Sequence, residues 1–82
     1  MINISVKLFA IYQETYQQEQ LTLQLDDQAT VGTLADKIFN AHPELEQWRS
    51  VTRYGVNMEF VDENTTLQDG DEVVLIPPVS GG

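Results

Sequence analysis

The residues in this chain best suited to chemistry are its last two, Gly81 and Gly82, which follow Ile76-Pro77-Pro78-Val79-Ser80. A C-terminal Gly-Gly carboxylate can be threaded through a narrow protein channel, because glycine has no Cβ and lets other backbone approach closely. Pro77 and Pro78 fix φ and favour an extended stem. From Pro77 to Gly82, at about 3.3 Å per residue, the chain reaches roughly 20 Å from the body. The expectation is a folded domain over residues 1–76 that carries a flexible working tail over 77–82.

At pH 7 that carboxylate is a poor electrophile, and nothing else in the sequence activates it. The glycines are scattered and form no phosphate-cradling loop. The absence of cysteine removes a thiol nucleophile, a disulfide framework and a thiolate zinc site. His42 is the single histidine, so neither a histidine pair for metal nor a Ser-His-Asp set can be assembled. Beside Pro43 at a helix end, it reads as a capping or surface residue. The Asp62-Glu63 and Asp69-Gly70-Asp71-Glu72 groups lack calcium-loop spacing, and turn chemistry accounts for them. No metal site is expected. The reactive group is carried here; activation must come from partners.

Charge narrows the partners. Thirteen acidic residues against four basic ones give a formal −9. Lys7, Lys37, Arg49 and Arg53 are scattered, so no basic stripe exists to meet nucleic acid or an anionic membrane. A partner with a basic face would be steered toward this chain, although the same charge also serves solubility. Met1-Ile2-Asn3-Ile4 is not a basic leader, and no apolar run approaches ~18 residues. A soluble, cytoplasmic protein is expected.

The elements that must position the tail follow from periodicity. Ile2, Ile4, Val6 and Leu8 alternate with polar residues, a half-buried strand that Phe9-Ala10 extends. Tyr12–Gln20, rich in Gln and Glu, reads as a loop. Leu21, Leu23 and Leu25 make a second strand beside the first. Thr30 is the expected N-cap of a helix whose Val31, Leu34, Ala35, Ile38 and Phe39 form one stripe, ended by Pro43. Leu45 and Trp48 anchor an irregular crossing segment at the core or its edge. Strands are expected at 51–56 and 59–61 around Asn57-Met58, where Met leaves the turn type open. Thr65-Thr66-Leu67 suggests a short helical turn, and Glu72–Ile76 is apolar enough for a central strand. The class is α+β: a mixed sheet of about five strands, one main helix and the short helical turn, in the β-grasp arrangement of ubiquitin. A ferredoxin-like sandwich is the alternative, but only one helix is strongly patterned.

Asp69-Gly70-Asp71-Glu72-Val73, followed by Ile76-Pro77-Pro78-Val79-Ser80-Gly81-Gly82, resembles the MoaD/ThiS family, and within it the small subunits of molybdopterin synthase. Val6-Lys7-Leu8-Phe9-Ala10, Thr30-Val31 and the length agree. Two departures stand out: Gln13-Glu14 where members carry Arg-Glu, and Asn57-Met58 where they carry Asn-Gly. The resemblance implies that a MoeB-like enzyme spends ATP to adenylate Gly82, and that a sulfur donor protein then leaves a thiocarboxylate there. It implies that a MoaE-like large subunit, in a heterotetramer, accepts Pro77, Pro78, Val79, Ser80 and Gly81 into its pocket. The sulfur is then transferred to cyclic pyranopterin monophosphate, catalysis residing in the large subunit. Phe60, Ile76 and Val79 are the residues that the resemblance places against that subunit. Other acceptors (thiamine, cysteine, tRNA), protein modification, or a non-covalent β-grasp binding module are the alternatives.

Overall fold

The computed structural model describes residues 1–78 of the 82. Val79, Ser80, Gly81 and Gly82, four of the expected tail residues, lie outside the described residues.

Five strands form one sheet in the order β2-β1-β5-β3-β4, from β1 (Ile2–Leu8), β2 (Gln20–Leu25), β3 (Arg53–Val56), β4 (Glu59–Val61) and β5 (Glu72–Ile76). β1 and β5 run parallel at the centre, and the outer pairs are antiparallel. Parallel neighbours cannot be joined by a tight hairpin, so the intervening chain must cross over the sheet. α2 (Val31–Ala41) makes that crossing. This is the expected β-grasp arrangement.

One face of the sheet is covered. Ile2, Ile4, Val6 and Leu8 of β1, Val73 and Leu75 of β5, Leu25 of β2 and Tyr54 of β3 are buried there. They pack with Val31, Leu34, Ala35, Ile38 and Phe39 of α2, the predicted stripe. Burying such a side chain is worth about 1.5–3 kcal/mol, so tertiary packing holds an eleven-residue helix that would be marginal alone. Thr30 caps it as expected: its Oγ1 accepts from the Thr33 N–H at 3.2 Å, and the Thr33 Oγ1 accepts from the Thr30 N–H at 3.2 Å. Gly32 has a packing reason, since a Cβ there would stand 3.1 Å from the Glu63 carbonyl that its own N–H contacts at 2.8 Å.

Four expectations need correction. The Tyr12–Gln20 stretch begins as a helix, α1 (Ile11–Tyr16), because Tyr12 is fully buried with its ring edge-on to Phe39 at 6.1 Å. β1 stops at Leu8, since Ala10 turns the chain with φ 49° into that helix. The crossing segment is a 3-10 turn (Pro43–Leu45) running into α3 (Glu46–Arg49), with Leu45 buried and Trp48 partly so; β3 accordingly starts at Arg53. The expected helical turn at Thr65-Thr66-Leu67 is absent. That segment lies antiparallel to the N-terminal approach of α2, with Val31 N–H on the Thr65 carbonyl at 2.9 Å and Leu67 N–H on the Ala29 carbonyl at 2.8 Å.

The turn left open is now defined: Asn57 and Met58 both have positive φ, 50° and 76°, the pattern of a type I′ hairpin. Asn57 is tied to the start of β5, donating from Nδ2 to Asp71 at 2.9 Å and accepting from the Glu72 N–H at 3.1 Å. The acidic turn residues are engaged with backbone: Asp69 accepts from the Asn3 N–H at 2.7 Å and Asp71 from the Gln68 N–H at 2.8 Å.

Candidate partner-binding face and tail root

The sheet's second face is left uncovered by α2, and strand alternation decides what it shows. On β5, Val73 and Leu75 point into the core, so Glu72, Val74 and Ile76 point out. Gly55 of β3 sits across from Val74 on one side and Phe60 of β4 on the other. With no side chain at Gly55, a shallow depression of about 120 Å³ opens, lined by Gly55, Met58, Glu59, Phe60, Val74 and Ile76. Phe60 is 71% exposed and Met58 98% exposed. The opposite half of the same face is polar, formed by Asn3, Ser5 and Lys7 of β1 beside Gln24, Thr22 and Gln20 of β2. Apolar surface is therefore concentrated on one half, the half from which the tail departs.

The tail root is also built. Pro77 and Pro78 line an apolar cleft of about 340 Å³ with Ala10, Ile11 and Trp48. α1 and α3, the two helices missed in the sequence, supply its walls. They are held together by one hydroxyl chain: Tyr12 donates to the Thr52 Oγ1, which donates to the Trp48 carbonyl at 2.7 Å. Burial drives the Tyr12 phenol pKa above its usual value.

A larger groove of about 590 Å³ runs along the β4 edge, where Arg49, Thr52, Arg53, Tyr54, Phe60 and Glu63 meet. Its floor is an ion-pair cluster. Arg49 grips Glu63 with both Nε (3.2 Å) and Nη2 (3.0 Å), reaches Asp36 at 2.8 Å, and lies 5.4 Å from the centre of the Phe39 ring. The Tyr54 hydroxyl donates to Glu63 at 2.9 Å. The hydrogen bond from Arg49 holds the Glu63 carboxyl below its ordinary range, while burial first and Glu63 second push the Tyr54 phenol well above its own. These contacts join α2, α3, β3 and the chain after β4.

Of the predicted site residues, Phe60 and Ile76 are brought together on the open face, and Pro77 and Pro78 stand at its end. Val79, Ser80, Gly81 and Gly82 are outside the described residues. His42 serves as the C-cap of α2, its N–H on the Ile38 carbonyl at 3.1 Å and its ring edge-on to Tyr16. Among the described residues, no group of three or more His, Cys, Asp or Glu is placed to hold a metal ion. Met58, Val74 and Arg53 were missed as surface residues. The alternation of β5 could have exposed Val74, but the position of Met58 depends on the turn type.

The sequence matches the ThiS family over residues 6–82. The chain belongs to that family. The molybdopterin synthase sulfur carrier subunit of Chlamydomonas reinhardtii is 36% identical over 83 residues, covering 99% of this chain and 100% of its own. Among solved structures, SAMP1 of Haloferax volcanii superposes with a TM-score of 0.83 at 32% identity, covering 98% of this chain and 99% of that one. The protein–protein complex of subunits 1 and 2 of the Helicobacter pylori molybdopterin-converting factor contains a chain matching with a TM-score of 0.68 at 27% identity, over 99% and 100% of the two chains. No helix among the described residues of this ThiS-family protein is long and apolar enough to cross a membrane.

Proposed function

We propose that this ThiS-family protein is a sulfur carrier of molybdopterin synthesis, docking through its open sheet face and reacting through Gly82. The observation that carries this reading is the placement of the apolar half-face. Phe60 of β4 lies together with Val74 and Ile76 of β5, the strand that runs directly into Pro77-Pro78, so a partner seated there would sit beside the departing tail. The likeness to one member of a two-subunit complex supports the same reading.

The chemistry divides between chain and partners. An ATP-dependent, MoeB-like enzyme converts the Gly82 carboxylate to an acyl adenylate, releasing pyrophosphate. A sulfide-level sulfur from a donor protein forms a C–S bond as the C–O bond to AMP breaks, and Gly82 becomes a thiocarboxylate. A MoaE-like large subunit binds the half-face and receives Val79, Ser80, Gly81 and Gly82. There the thiocarboxylate sulfur forms a C–S bond to cyclic pyranopterin monophosphate as a C–O bond of that substrate breaks. Water then cleaves the resulting thioester, which leaves the sulfur on the pterin and restores the Gly82 carboxylate. The described residues supply docking and aim, which turns a bimolecular encounter into a positioned one. We place the assembly as a heterotetramer in the cytosol, with ATP bound only by the activating partner.

Intact-mass measurement tests the reading. With ATP, activator and sulfur donor, the chain should gain the mass difference between one sulfur and one oxygen atom, localised to Gly82. Adding large subunit and the pyranopterin should restore the original mass and yield molybdopterin. No gain in mass would sink the carrier reading. A gain with no product would redirect it to another acceptor. The likeness to SAMP1, small archaeal modifier protein 1 of Haloferax volcanii, supports one such reading, protein modification, in which a lysine amine captures the activated Gly82; an amide-linked adduct would reveal it.

A further inference from the structure

We propose that Arg53 determines partner specificity on this face, taking a single carboxylate that an otherwise basic partner surface presents beside the tail root. This rests on the docking reading above and deepens it.

The cations of this chain are not equivalent. The N-terminal ammonium pairs with Asp27 at 2.7 Å, Lys7 with Glu72 at 3.7 Å, and Arg49 with both Asp36 and Glu63. Among the described residues only Lys37 and Arg53 have no carboxylate within ion-pair distance. Lys37 is exposed on α2, in the layer across the sheet from the open face. Arg53 is exposed on the open face itself. It stands directly across from Ile76, the last residue before Pro77, and shares a groove wall with Phe60. A guanidinium with no carboxylate partner among the described residues thus borders the apolar half-face beside Ile76 and Pro77.

Its chemistry and surroundings select the occupant. A guanidinium presents a planar fork that matches carboxylate or phosphate. Glu46, Asp62 and Glu63 line the same groove, and the chain carries a net −9, so a multiply charged phosphate ester would be repelled. A lone carboxylate set within a basic protein surface meets no such penalty, because the surrounding surface is drawn to the acidic chain. The apolar neighbours Phe60 and Ile76 would exclude water from the pair once docked, which strengthens it and makes a mismatch costly. Arg53 would therefore reject partners that are merely basic.

The test is a binding titration of the full chain with the large subunit at several salt concentrations, for wild type, Arg53→Lys, Arg53→Gln and Arg53→Glu. Loss of one member of a desolvated charge pair should weaken binding by on the order of thirtyfold in Arg53→Gln, mostly through faster dissociation. Arg53→Glu should be weaker still, Arg53→Lys intermediate, and a compensating acid-to-base change in the large subunit should restore Arg53→Glu. Thiocarboxylation of Gly82 by the activator, read by mass, serves as the control that each variant is folded and competent. If Arg53→Glu binds within about twofold of wild type, less than any desolvated pair would show, the proposal is overturned. If the wild type itself fails to bind the large subunit, the docking reading falls first and takes this one with it.

Discussion

The two faces of β5 differ by one residue of register and by everything that follows from it. Val73 and Leu75 have no exposure to speak of and sit against α2, whereas Val74 and Ile76 look outward beside an exposed Phe60 and Met58. Both sets are β-branched or aliphatic, so hydrophobicity alone does not distinguish them. What distinguishes them is whether this chain supplies the cover. The covered face holds the fold together, and the β5–β4 half of the open face is apolar with no cover among the described residues. That contrast teaches that stability and recognition here are written on alternate residues of one strand, and substitutions should separate them cleanly.

The largest expected effect lies beyond both faces. Deleting Gly82 should abolish sulfur transfer in a reconstituted synthase assay while leaving thermal unfolding unchanged, since the buried core is built from residues between Ile2 and Leu75. Retained activity in that deletion would remove the tail from the chemistry. Next comes the covered face: Leu75→Ala should cost about 2–5 kcal/mol in denaturant unfolding, the transfer and cavity penalty of a fully buried leucine. On the open face, Phe60→Asp should change stability by no more than about 0.5 kcal/mol. Its affinity for the large subunit should nevertheless fall by about 2 kcal/mol or more, as expected for an aromatic anchor. If Phe60→Asp unfolds the chain, or binds normally, the division between the faces is wrong. A smaller effect tests the missed helix: Tyr12→Phe should cost about 1 kcal/mol by removing the hydrogen bond to Thr52 that links α1 to Trp48.

How much of this is legible in the sequence depends on the signal each residue leaves. β1, α2 and β5 were readable because strict alternation and the i, i+3, i+4 stripe are direct images of burial, and Thr30 announces its cap chemically. α1 was not. It has only six residues, its Gln and Glu content masks the apolar set, and it is entered through a positive-φ Ala10 that no propensity favours. The Ile11, Tyr12, Tyr16 spacing was the available clue. Thr65–Leu67 failed for the opposite reason: its local turn character was overridden by long-range hydrogen bonds to Ala29 and Val31. Phe60 and Ile76 were named through resemblance, and the geometry that unites them required knowing that Gly55 lies between Phe60 and Val74. The Arg49–Glu63–Tyr54 cluster left no trace, because residues far apart in sequence build it.

That cluster supplies the smallest prediction and the finest test of the contrast, since it borders the open face yet belongs structurally to the fold. Arg49 depresses the Glu63 carboxyl below its ordinary 4.5. A carboxyl depressed by folding contributes stability above its unfolded pKa and loses it as pH falls through the folded value. The window therefore lies below about pH 4.5, on the acid side of neutrality. Glu63→Gln should leave an acid limb of the stability curve that is shallower than wild type there, with the two curves running parallel above it. Because the Glu63 side chain is 37% exposed, the offset at neutral pH should be modest, about 1 kcal/mol or less. Binding to the large subunit should be nearly unchanged if Glu63 only anchors Arg49. A loss of affinity in Glu63→Gln matching that of an Arg53 variant would instead mean that the whole groove, and not the open face alone, meets the partner.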